Sequence, residues 1–532
     1  MTDRIEDSRQ WLQETLRQGF LALGNNKIQE ASECCRKVLA AKPDLVQGHF
    51  LVGLVALQAR DRKTAFSAFG SVTKLKPDHV AAWAQLAKLF MSDGQVTKAD
   101  AALENAVRIE TKDPMVNDLV ATVYSMMGEH DTATVYHERA MLQHPDHIPF
   151  TVNYANSLVY HGRTNEASKL LQDVLRRDPF SPQAHWILAG SRRAKDTRHI
   201  EQMENAIAPN SDNDRSLAFL YYGIGKERED LHDWPAAFEA FSTGAAARRK
   251  TVEYDEAAEI EFHEALHNTV TREWFDDGSR GCDSTAPIFV LGQPRTGTTL
   301  VDRIISAHSR VHSAGELQQF GFAIRRLSRF PEPKRFSADL LKHALEIEPR
   351  ALGEMYMRSG KKMHGDTPRF VDKLPTNFVY IPLILKALPN AKIVHLTRNP
   401  MDACFASFKQ LFADAYLHSY DQAEMARHHA RYFRLMELWR KRFPDRFLDV
   451  SYEETARDLE PNARRLIEYL GLPWEDACLH FHEQKTAVST ASAAQVREPA
   501  HTRSIGRWRK YEQQLETMRA VLIDAGIAIG DD

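Results

Sequence analysis

The chain has 532 residues, 43% hydrophobic and 27% charged, with a formal net charge of −3, the makeup of a globular protein of more than one domain. That balance excludes a general nucleic-acid binder and a basic membrane-surface binder. Five cysteines (Cys34, Cys35, Cys282, Cys404, Cys478) form no C-x-x-C pair, which sets aside a zinc framework and a disulfide scaffold.

The opening stretch, MTDRIEDSRQWLQETL, is polar and then amphipathic, without an apolar signal core. No run approaches the roughly 18 apolar residues of a membrane span. The expected compartment is a reducing cytoplasm, with no membrane partner.

The first half repeats. Ala31, Ala65, Ala99, Ala133 and Ala167 are spaced by 34 residues. Gly19, Gly53, Ala87, Ala121, Ala155 and Ala189 run in step, and Gly94, Gly128 and Gly162 mark a turn at the same interval. Pro43, Pro77, Pro145 and Pro179 mark the unit ends, with Pro114 three residues late. Small residues at two fixed places in a 34-residue period let two antiparallel helices touch, and proline stops the second. This is the tetratricopeptide pattern, and it predicts an all-α solenoid with a concave groove for a peptide or protein partner, or else a homodimer arm. The pattern weakens after Pro179. An irregular helical pair is expected over 182–210, and a further pair over 217–250, where Gly225 and Ala237 keep the offset of Gly53 and Ala65. Residues 1–250 therefore read as the solenoid, 251–284 as a connecting helix and linker, and 285–532 as a second domain.

That second domain alternates short apolar runs with amphipathic stretches. Strands are expected at 288–291, 370–372, 392–396 and 447–450, with helices over 299–308, 376–388, 400–413 and 455–470. This is α/β organisation around a central parallel sheet, whose ligands lie beyond the carboxyl ends of the strands.

The first strand runs into Gly292-Gln293-Pro294-Arg295-Thr296-Gly297-Thr298-Thr299. Strand, glycine turn and helix together aim backbone N–H groups and a helix dipole at one anion. The spacing resembles a nucleotide-triphosphate loop but puts Thr298 where the lysine belongs, which argues against triphosphate hydrolysis. Arg295 instead offers a fork to the oxygens of a transferring group. A second anchor is Arg398, directly after a strand and before Asn399-Pro400 at a helix start.

PRTGTT followed by R-N-P-x-D resembles the sulfotransferases, most nearly the bacterial tetratricopeptide–sulfotransferase fusions and more distantly the tyrosylprotein sulfotransferases. The resemblance spans about Pro287 to Leu515. It implies a P-loop-like fold and 3′-phosphoadenosine 5′-phosphosulfate as co-substrate, with no metal. It implies that Pro294, Arg295, Thr296, Gly297, Thr298 and Thr299 hold the phosphosulfate end, and that Arg398 holds the 3′-phosphate. The serine that usually follows that arginine by eight residues is Ala406 here, with Ser407 one step on. In SIGRWRKY, Arg503, Gly506 and Trp508 would face the 3′-phosphate or the adenine. Tyr452 and Ser492 match further donor-side places. Glu316, in HSAGEL, matches the catalytic base, and Lys373, in VDKLP, the lysine that steadies the transferring group. His312 and His308 remain rival bases, and His428-His429 is read as solvated on a charged helix. The expected acceptor is a hydroxyl on a protein (tyrosine included), a sugar or a small molecule. The alternatives are a nucleotide-dependent phosphotransferase, for which the helical Asp302 is the one magnesium carboxylate near the loop, and a repeat scaffold with an inactive nucleotide domain.

Overall fold

A computed structural model describes residues 2–330, 336–412, 414–488, 490 and 495–530. Ser492 lies outside the described residues. The chain forms two compact units, Met1–Phe150 and Thr151–Asp532.

The first unit is a run of helical pairs: Thr2–Gly24 with Ile28–Ala41, Val46–Gln58 with Arg62–Leu75, Val80–Ser92 with Val96–Val107, and Pro114–Met126 with His130–Gln143. The periodic small residues lie where the helices meet. Ala31, Ala65 and Ala99 are fully buried, and a Cβ built on Gly53 would stand 2.5 Å from the ring of Phe69. Any side chain there forces the pair apart.

The second unit begins with more helices of the same kind. The irregular pair is Pro182–Ser191 and Arg198–Ile207, and the late pair is Asp214–Asp230 and Trp234–Lys250. A Cβ on Gly225 would fall 2.6 Å from Phe241, the contact Gly53 makes with Phe69, 16 residues on in each case. Helix Glu256–Thr269 then buries Phe262 and Leu266 in one apolar core with Phe289 of the sheet.

The sheet has five strands: β1 Pro287–Gly292, β2 Val311–Ser313, β3 Arg369–Asp372, β4 Lys392–Thr397 and β5 Leu448–Ser451. All neighbours are parallel, in the order β2-β3-β1-β4-β5. Central β1 is apolar on both faces, as burial from both sides demands. Phe289 and Leu291 join one core, with Trp439 and Tyr356, while Ile288 and Val290 join another, with Ile304 and Val394.

Two expected helices are broken by prolines. Pro382 lacks the N–H that a helix from 376 needs, so a 3-10 turn, Pro375–Tyr380, gives way to helix Ile381–Ala387. The carbonyl of Phe378 accepts instead from Trp439 Nε1 at 3.1 Å. Pro461 likewise splits the expected 455–470 helix into Tyr452–Arg457 and Leu459–Tyr469.

Candidate active site

β1 and β4 are adjacent, and the chain crosses from β3 over β1 to reach β4. Their carboxyl ends thus form the kind of switch point where parallel sheets bind ligands. The loop after β1 is shaped by backbone constraints. Gly292 has φ 144 and Gly297 φ 97, both in the range that favours glycine. A Cβ on Gly292 would meet the Leu396 carbonyl at 2.8 Å, and one on Gly297 would meet the Tyr452 ring at 2.7 Å. Arg295 itself has φ 67, an uncommon conformation for a side chain that bulky. Its carbonyl accepts from Arg398 Nη1 at 2.7 Å. Thr296 turns inward, donating to the Gln293 carbonyl at 2.7 Å, and Thr298 and Thr299 open helix Thr298–Ser306.

Arg398 joins three pieces of the site. Besides the loop, it donates through Nη2 to the Ser504 carbonyl at 2.6 Å, and its guanidinium lies 4.6 Å from the centre of the Tyr452 ring. Its buried Nε has no hydrogen-bond partner among the described residues. Asn399 caps helix Pro400–Phe408 through the N–H groups of Met401 and Asp402. Asp402 then accepts from the N–H of Gly506 at 2.6 Å and of Trp508 at 3.0 Å, which fastens the late loop over the Arg398 motif. Gly506 has φ 64, and Trp508 is buried in an apolar cluster with Phe405 and Tyr511. Arg503 is exposed and ion-paired with Glu498.

These segments enclose a solvent-open cleft of about 820 Å³, lined by Arg295, Arg398, Lys409 and Arg507 as well as Thr299 and Tyr452. Burial and the nearby Arg398 lower the Arg295 pKa to about 10. An anion in the cleft would relieve that crowding of positive charge. Ala406 lines the cleft, while Ser407 faces the loop, donating to Ala403 O at 2.9 Å and to Pro294 O at 3.3 Å.

Glu316 and Lys373 meet at the end of β3. Parallel pairing of β2 with β3 continues through Ala314 N–H to Val371 O (2.9 Å) and Lys373 N–H to Gly315 O (2.8 Å). This brings Lys373 Nζ within 2.5 Å of Glu316 Oε1. The lysine side chain is 2% exposed and the glutamate 43%, so the carboxylate is the half that a solute can reach. Both charges act on Asp302 in the helix after the loop. Burial raises the Asp302 pKa, and its carboxylate accepts from Ser313 at 2.9 Å. Among the rival bases, His308 is buried with Nε2 2.8 Å from Pro473 O, and His312 lies on β2 opposite Phe370.

His428 and His429 are buried, which corrects their reading as solvated. The helix Gln422–Arg442 packs the face that carries them against the sheet domain, where His429 bonds Gln293 of the loop and His428 bonds Glu259 at 2.7 Å. Glu259, His418 and His428 have ligand-type atoms within 4.8 Å of one another. The two imidazoles, however, stack at 3.5 Å with 12° between planes, so one ion cannot lie in both ring planes. Arg431 and Tyr254 already donate to Glu259.

Several site residues had no sequence reading: Lys409, Arg507, Asp402 and Gln293. Only Asp402 carried a signal, as the acid of R-N-P-x-D.

The fold and the cleft define a helical-repeat protein with a parallel-sheet domain that carries a cation-lined cleft. A model of the sulfotransferase family matches residues 287–476, and a tetratricopeptide-repeat model matches 56–123 and 126–189. The chain carries a tetratricopeptide-repeat region and, C-terminal to it, a domain of the sulfotransferase family. An uncharacterized protein of Aquifex aeolicus is 29% identical over 395 residues, which is 71% of this chain and 50% of that protein. A protein-tyrosine sulfotransferase of Drosophila melanogaster is 25% identical over 232 residues, 42% of this chain and 46% of its own. The chain thus spans about half the length of these curated relatives. The sulfotransferase domain of the Synechococcus PCC 7002 olefin synthase is 18% identical, covers 46% of this chain and 95% of its own, and has a TM-score of 0.32. Among the described residues no helix is long and apolar enough to cross a membrane.

Proposed function

We propose that the protein transfers a sulfuryl group from 3′-phosphoadenosine 5′-phosphosulfate to an acceptor hydroxyl. The observation that carries this reading is the joining of the loop arginine and the post-β4 arginine in one cleft, with Arg398 bonded to the Arg295 carbonyl at 2.7 Å. Two cations at adjacent strand ends suit a ligand with anionic groups at both ends. The unpartnered Arg398 Nε among the described residues fits such an anion.

When bound, the donor supplies the sulfuryl group and a phosphate leaving group. Arg295 and the N–H groups around Gly297–Thr299 hold the sulfuryl end, and Arg398 holds the 3′-phosphate. Pro294 and Ser407 keep the loop in place, and Tyr452 backs Arg398. Gly506 lets the late loop, which carries Arg503 and Trp508, close over the nucleotide. Glu316 accepts the proton of the acceptor hydroxyl as that oxygen bonds to sulfur. Lys373 turns from Glu316 to the oxygens of the transferring group, where charge spreads in a loose in-line transition state. The bond between sulfur and the phosphate oxygen breaks, and the bisphosphate departs with the electron pair. Cationic side chains meet the charge of this leaving group, so the step asks for no metal.

The relatives named as protein-tyrosine sulfotransferases support a tyrosine hydroxyl as acceptor, and the repeats supply a groove for the acceptor protein or another partner. The test is a melting curve of the full chain with adenosine 3′,5′-bisphosphate or with ATP and magnesium. The bisphosphate should raise Tm and the ATP should not. A rise with ATP and magnesium alone overturns the reading in favour of a phosphotransferase, and no rise with either favours a scaffold.

A further inference from the structure

Of the four cations lining the cleft, Arg295 and Arg398 come from the sheet edge, but Lys409 and Arg507 are held by a repeat-type helix. Glu229, near the end of helix Asp214–Asp230, accepts from Lys409 Nζ at 2.7 and 2.9 Å, from Arg507 Nε at 3.1 Å and from the Tyr511 hydroxyl at 2.9 Å. Its side chain is 11% exposed. Lys409 ends helix Pro400–Phe408, and Arg507 opens the short 3-10 turn Arg507–Tyr511. Glu229 thus holds the cations of both segments on one carboxylate, beside the backbone tie that Asp402 makes to Gly506 and Trp508.

Stability alone gives no reason for such a cluster, because a buried ion pair is seldom better than apolar residues of the same volume. The arrangement gives direction instead. Two cations against one carboxylate leave a net positive wall, with Lys409 and Arg507 both on the surface of the cleft. Burial lowers the Lys409 pKa, and Glu229 opposes that shift, while Arg507 and Arg295 push it lower still. Without Glu229 the lysine would share a buried site with two arginines only, and would lose its proton or swing away.

We propose that Glu229 is a positioning residue of the donor site: a carboxylate from the repeat-type helices that keeps Lys409 charged and aims Lys409 and Arg507 at a phosphate of the bound donor. The inference rests on the donor reading above and deepens it, since it makes the last repeat-type pair part of the nucleotide site and not only a platform for a partner.

The experiment is calorimetric titration of the full chain with adenosine 3′,5′-bisphosphate, for the natural protein, Glu229→Gln, Lys409→Met and the double variant. Each single substitution should weaken binding about tenfold, the size expected when one charge-assisted bond is lost. The double variant should bind more weakly than Lys409→Met by less than Glu229→Gln costs alone, because only the hold on Arg507 is left to lose. As pH rises, affinity in Glu229→Gln should fall at lower pH than in the natural protein, because Lys409, facing Arg507, Arg295 and Tyr511 without the carboxylate, loses its proton more readily; in Lys409→Met that fall should be absent. A purely structural role for Glu229 would not produce that pH profile. Natural affinity in Glu229→Gln, or additive losses in the double variant, overturns the proposal and leaves the donor reading intact. Failure of the natural protein to bind the bisphosphate overturns both. Should Glu229→Gln not fold, Lys409→Gln and Arg507→Gln carry the test: weakened binding in both supports the proposal, and unchanged binding in both overturns it.

Discussion

The helical repeats and the sheet-edge site are built on opposite plans. In the repeats one contact recurs: Gly53 against Phe69 in the first unit and Gly225 against Phe241 in the second. Each copy is local, and neighbouring copies resemble it. The site is assembled once, from residues far apart in the chain, with Arg398 bonded to Arg295 and Lys373 to Glu316. Recurrence spreads stability over many equivalent contacts, whereas single assembly concentrates function in a few side chains. Substitutions in the two regions should therefore fail differently, and each prediction below tests that contrast.

The largest effect is expected at Glu316. Glu316→Gln should cut transfer of labelled sulfate by about 10²–10⁴-fold, the usual contribution of a general base, with bisphosphate affinity kept. Full turnover in this variant would pass the role to His312. Next come the arginines. Arg295→Ala should lower turnover by about 10²–10³-fold, as loss of a preorganised donor does, and Arg398→Ala should weaken bisphosphate binding by about 10–100-fold. Circular dichroism should show the helices unchanged in all three. Loss of helix signal in any of them would mean that the site and the fold are not separable, and the contrast would fail.

The repeats should show the reverse. Gly53→Val drives a side chain into Phe69 and should destabilise its unit by about 1–3 kcal/mol, the cost of overpacking, read as an earlier transition in urea. Donor binding should be untouched. Gly225→Val makes the same collision with Phe241 in the unit that holds the site, on the helix that carries Glu229. It should weaken bisphosphate binding as well as stability. Equal effects of the two on binding would erase the distinction between the units.

The same contrast explains what was legible in the sequence. The repeat pairs and four of the five strands follow from spacing and apolar runs, because those signals are local. β2 was missed because it offers three residues with one buried apolar side chain, Val311, and takes its register from β3. The prolines at 382 and 461 were visible, but their helix breaks were not drawn from them. Arg295 stood out inside the glycine loop after β1, and Arg398 by following β4 directly. Glu316 and Lys373 came through a family resemblance, since nothing local joins residues 57 apart. The cluster of Lys409, Arg507 and Glu229 was not legible, although Arg507 lies within SIGRWRKY: its bonds span 180 and 278 residues, and each residue reads alone as an ordinary surface charge. His428 and His429 misled for the same reason, since a charged helix tells nothing of which face packs against Gln293 and Glu259.

The smallest effect lies where the two plans meet, at a buried acid that serves the fold beside a catalytic candidate. Asp372 ends β3 next to Lys373 and is fully buried. Burial raises its pKa from the ordinary 3.8 to about 8, against the opposing pull of its bonds to Tyr356 at 2.9 Å and Asn377 at 3.4 Å. Because the folded pKa lies above the unfolded one, the folded chain holds a proton that the unfolded chain has released between about pH 4 and 8. The stability linked to this group is complete below about pH 4 and is lost progressively as pH rises toward 8. Asp372→Asn removes the titration, so its Tm relative to the natural protein should rise from pH 5 to pH 8 by a few degrees, with Glu316 and Lys373 still able to act. A Tm difference that does not change with pH would mean that the carboxyl is ionised in the folded state, and that the Tyr356 and Asn377 bonds outweigh burial.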